Sequence, residues 1–125
     1  MTEFENMEAI FMSAELGVVA SMNFVAILFA YLVAAHFASR DLPKLVKVGT
    51  SVIYTLFQMI HFNGMIGNMI RADKGSAYMS EHYPENWANI DGSLPLEGVL
   101  FLMGLPMVLG WLGSIYYMHF FKQAK

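Results

Sequence analysis

Three stretches of this chain, 16–35, 48–70 and 98–121, run for 20, 23 and 24 residues without an Asp, Glu, Lys or Arg. A bilayer's hydrocarbon core is about 30 Å thick and takes roughly 20 helical residues to cross. A water-soluble helix of that length needs a charged face, and none of these runs has one. The remaining residues are too few for a second domain, since the whole chain has 125 and is 57% hydrophobic against 14% charged. The expected fold is therefore all-α: an integral membrane protein with three transmembrane helices, at about 9–37, 43–70 and 95–121. A connection over 71–94 would lie outside, with Tyr78, Tyr83 and Trp87 at the membrane–water boundary.

Orientation follows from the basic residues. Arg40, Lys44 and Lys47 lie in the first connection and Lys122 and Lys125 at the C-terminus, so five of seven fall on one side. The second connection holds Arg71 and Lys74 among five acids, and the N-terminal segment holds Glu3, Glu5 and Glu8 with no base. The positive-inside rule then places the N-terminus outside and the C-terminus in the cytoplasm of a bacterial-type inner membrane. An acidic start is also unlike a cleaved signal peptide. "SRDLP" reads as a tight turn, with Asp41 as N-cap and Pro43 in the first turn of the second helix. Pro95 and Glu97 suit the start of the third.

The second helix has a polar side. Thr50, Tyr54, Gln58, His61, Gly64 and Asn68 fall within an arc of about 120° on a helical wheel. Polar groups in lipid lack hydrogen-bond partners, so this side is expected to face protein or water. The first helix offers a matching arc: Glu8, Glu15 and Asn23, then Ala26, Ala30 and Ala34, whose small side chains would let backbones approach. By depth, Glu15 pairs with Asn68 and Asn23 with His61. Pro106 frees the Leu102 carbonyl near the same level, so Asn23, His61 and that carbonyl are expected to form one buried polar layer. Gly110 and Gly113 would make a groove for close helix contact.

The commonest use of such a layer is to join helices. A proton or cation path is the sharper alternative, because His titrates near neutral pH and Glu15 stands at the outer mouth. Three helices enclose no pore, so a channel would need several copies with the second helices inward. Haem is a lesser alternative, with His36, His61 and His119 as the available imidazoles. No metal site is expected, and no cofactor is required by any motif. The sequence has no cysteine and no metalloprotease, nucleophile-elbow or phosphate-loop motif, so no enzyme activity is expected. Scattered basic residues and a net charge of −3 point away from nucleic acid. The expected role is a small accessory or assembly subunit, in contact with lipid and with itself or larger membrane subunits.

Overall fold

The computed structural model describes residues 1–87 and 95–121, and these form helices and turns with no strand. Helix α1 spans Glu3–Ala38, α2 Lys44–His82, α3 Pro84–Trp87 and α4 Leu96–Phe120. Three of them, α1, α2 and α4, are long and apolar enough to span a membrane.

Each start has a local cause. Thr2 caps α1 by accepting from the Glu5 amide, while the Glu5 carboxylate accepts from the Thr2 amide at 2.7 Å. That reciprocal pair satisfies two end donors, and Glu3 and Glu5 complement the dipole. Helix α2 follows Pro43, whose backbone is the N-cap; Asp41, the expected cap, lies in the preceding turn instead. Pro95 precedes α4, and Glu97 sits in its first turn.

The buried rows carry a seven-residue repeat. On α1 they are Ile10, Gly17, Phe24 and Tyr31, followed by Ala35. On α2 they are Ser51, Gln58, Met65 and Met79, with Ala72 half-buried between the last two and Tyr54 alongside. On α4, Gly104, Met107, Ser114 and Met118 alternate in threes and fours about Trp111. A seven-residue row drifts about 20° per repeat on a straight helix, so keeping it inward supercoils the bundle left-handedly. Helices α1 and α2 form the most extensive contact, as an antiparallel hairpin, and α4 lies against both.

Glycines set the closest approaches. A methyl at Gly75 would come within 2.6 Å of Ile10 Cγ1, and one at Gly17 within 3.1 Å of the Met69 methyl. Gly110 faces Leu28, Gly104 faces Phe62 and Gly64 faces Ala20, whereas nothing lies near Gly113. Of the two glycines expected to form a groove, only Gly110 packs against another helix.

At 36 and 39 residues, α1 and α2 are about 54 and 58 Å long, well beyond a 30 Å hydrocarbon core. The overshoot lies at the Glu3 end. There Ile10, Met79 and Trp87 are buried together, with Met7, Ala72 and Tyr83 packed around them. Glu3 Oε1 accepts from Asn86 Nδ2 at 3.0 Å and from Trp87 Nε1 at 3.3 Å. The connection expected from residue 71 is thus helical to His82 and then turns back through α3; residues 88–94 of that connection lie outside the described residues.

Candidate functional site

The polar groups inside the bundle form two tiers near the middle and the Lys44 end. In the first, Tyr31 Oη lies 2.6 Å from Ser51 Oγ, and Ser51 Oγ lies 2.8 Å from both the Lys47 carbonyl and His119 Nε2. Ser51 has a single proton, and a carbonyl can only accept it. All three contacts are hydrogen bonds only if Ser51 donates to Lys47 and accepts from Tyr31 Oη and His119 Nε2.

The second tier is built on α2 one turn further along. Tyr54 Oη lies 2.8 Å from Ser114 Oγ, which donates to the Trp111 carbonyl at 2.7 Å. Gln58 Nε2 donates to the Phe24 carbonyl at 3.1 Å and to Tyr54 Oη at 3.2 Å. The Phe24 carbonyl fixes the amide orientation, since an amide oxygen there would face another acceptor. Tyr54 then accepts from Gln58 and donates to Ser114. The tiers touch through the Tyr31 and Tyr54 rings, stacked 3.9 Å apart and nearly parallel. Stacking moves no proton, and each chain of bonds ends on a backbone carbonyl.

Three buried polar atoms lack a hydrogen-bond partner among the described residues: Gln58 Oε1, Asn68 Oδ1 and Trp111 Nε1. Trp111 packs against the residues around Phe24 and those around Tyr54, the same two neighbourhoods that Gln58 joins. Asn68 turns its amide nitrogen back to the Gly64 carbonyl at 2.8 Å.

The expected layer of Asn23, His61 and the Leu102 carbonyl does not form. Asn23 is exposed, and so are Glu15, Ala26, Ala30, Ala34 and Pro106. His61 is half-buried, with Nδ1 on the Phe57 carbonyl of its own helix. The expected heights match the packing, since Gly17 meets Asn68 and Ala20 faces Gly64, but the rotation of α1 does not. Its acidic and alanine side faces outward, and its row of Ile10, Gly17, Phe24 and Tyr31 faces inward. Of the expected polar residues, Tyr54 and Gln58 are brought together, Asn68 lies apart at the Gly17 level, and Tyr31, Ser51, Ser114 and His119 complete the site. Depth counting finds Tyr31 opposite Tyr54; no charge or motif marks the two serines.

The histidines do not converge. His36 Nδ1 lies 2.9 Å from Tyr117 Oη and lines a groove with Leu32 and Phe37, whereas His119 lines a different groove with Ser51 and Ile115. A single chain therefore presents no pair of axial ligands from His36 and His119. No cluster of three His, Cys, Asp or Glu residues suited to a metal occurs among the described residues.

Tyr54→Phe removes the hydroxyl shared by Gln58 and Ser114. It is expected to lower stability by about 1–2 kcal/mol, the sum of the α2–α4 bond to Ser114 and the bond to Gln58 within α2, measured by thermal unfolding in detergent. A change below about 0.3 kcal/mol would show that the tier holds nothing together.

The chain matches no protein-family model, and comparison with curated proteins and with solved structures gives no match.

Proposed function

We propose that this chain is a small multi-pass protein of a bacterial-type inner membrane, with its N-terminus outside and its C-terminus cytoplasmic, that acts as an assembly or accessory subunit. It joins further copies or larger membrane proteins through the outer side of α1. The observation that carries this reading is the outward placement of Asn23 with Ala26, Ala30 and Ala34. An amide on a lipid-facing surface has no hydrogen-bond partner, and a second helix laid along the alanines supplies one.

The polar core supports the same reading. Tyr54, Ser51 and Gln58 are buried within one copy, so they are not available to line a pore between copies. Both bonded chains stop at carbonyls, which accept but do not relay protons. These features count against the channel alternative.

The test is a pair of substitutions on the exposed side, Asn23→Leu and Ala26→Leu, followed by cross-linking in native membranes. Losing one such bond is worth about 0.6–1.7 kcal/mol, so association should weaken roughly 3- to 20-fold with the thermal midpoint of the single copy unchanged. Unaltered cross-linking in both variants would refute the α1 surface. Proton flux through liposomes carrying the wild type, abolished by Gln58→Leu with assembly intact, would favour the channel instead.

A further inference from the structure

A second feature lies along α2. A groove of about 290 Å³ runs between α2 and α4, lined by Val48, Ser51, Val52, Thr55, Leu56, Ile115 and His119. Its walls are mostly apolar, with the Ser51–His119 hydrogen bond and Thr55 as the polar residues on the lining. Along α2 the lining residues fall on two rows at four-residue spacing: Val48, Val52 and Leu56 on one, Ser51 and Thr55 on the other. Continued one step toward the start of the helix, the first row reaches Lys44 and the second Lys47. Both rows, one apolar and one of hydroxyl side chains, end in a cation.

Among the described residues, no ion pair engages Lys44, Lys47 or the neighbouring Arg40, and Asp41 is the only acid in the turn. No carboxylate lies on the groove's lining. From Val48 to Leu56 the groove is about 12 Å long at 1.5 Å per residue, the length of the upper half of an acyl chain. Lysine stems reach along apolar surface while their ammonium groups stay at the headgroup level.

We infer that this groove is a binding site for an anionic glycerophospholipid, with an acyl chain along Val48, Val52, Leu56 and Ile115 and the phosphate held by Lys44 and Lys47. Charge complementarity selects this occupant. A second copy would bring the same lysines against these, and a zwitterionic lipid would carry its own cation to them. The inference rests on the membrane reading above.

The test uses the full chain in detergent, titrated with phosphatidylglycerol or with phosphatidylcholine of the same acyl chains and read by native mass spectrometry. Two basic residues near the headgroups should give phosphatidylglycerol about a tenfold advantage or more. The double variant K44Q/K47Q should reduce that advantage to within twofold. Val52→Trp, which fills the groove from an exposed position, should weaken phosphatidylglycerol binding at unchanged charge. Soluble glycerol phosphate should not displace the lipid, since it has no chain for the groove. Equal binding of the two lipids by the wild type, a preference that survives K44Q/K47Q, or full displacement by glycerol phosphate would each overturn the site. Carbonate extraction of membranes separates the two failures. A chain released by carbonate ends the membrane reading itself, whereas a retained chain with no lipid preference ends only this inference.

Discussion

Trp87→Ala is expected to cost about 3–5 kcal/mol of local stability, the usual range for deleting a large buried aromatic. The ring is buried against Ile10 and Met79, and its indole donates to Glu3. These residues lie beyond the charge-free runs, which start at Leu16 on α1 and end at Ile70 on α2. Burial there is from water, so the transfer term counts in full. The loss should be confined to the cap. Hydrogen exchange should quicken over Ala72 to Trp87 while the amides around Gln58 stay protected. Glu3→Gln, which keeps an acceptor, should cost far less. An unchanged exchange pattern in Trp87→Ala would show that α3 does not hold the ends of α1 and α2 together.

Inside the proposed bilayer the energetics differ, and Phe24→Ala shows how. Phe24 is wholly buried, packed with Met65 and Met107 and tilted against Phe62. The separated helices would remain in lipid as apolar as the core, so little transfer energy is lost. The cavity remains: a void of order 100 Å³ at about 24 cal/mol per Å³ costs about 2–3 kcal/mol. Thermal unfolding should show that loss, whereas Asn23→Leu one residue earlier should leave the same transition in place. If Asn23→Leu destabilised the single copy more than Phe24→Ala, the inward face of α1 would be assigned wrongly.

That pair of residues also shows what the sequence displays and what it conceals. Three helices long and apolar enough to span a membrane are legible because a charge-free run of twenty residues has few other uses. The start of α4 at Leu96 follows from Pro95 and Glu97, and helix heights follow from a fixed rise per residue. Rotation is harder. In water, polarity tells the inside from the outside, but in a bilayer the outside is as apolar as the core. Asn23 and the alanines look like a packing face, and the fold packs Gly17, Phe24 and Tyr31 instead. The informative signal was periodic: residues seven apart on α1, matched by Ser51, Gln58, Met65 and Met79 on α2. The same row continues through Ala72 to Met79 and marks the helical extension that the polar stretch after Ile70 disguises as a loop. Ser51 and Ser114 are legible only as partners of tyrosines across the bundle, a relation that exists once the rotation is known.

The most direct test of the assembly role is native mass spectrometry of the wild-type chain, extracted gently from its own membrane. A complex of two or more copies, or one with a larger membrane protein, dissociating to the single chain in Asn23→Leu, is the result expected from the outer face of α1. A lone copy that still retains lipid, and so has not been stripped by the extraction, would contradict it.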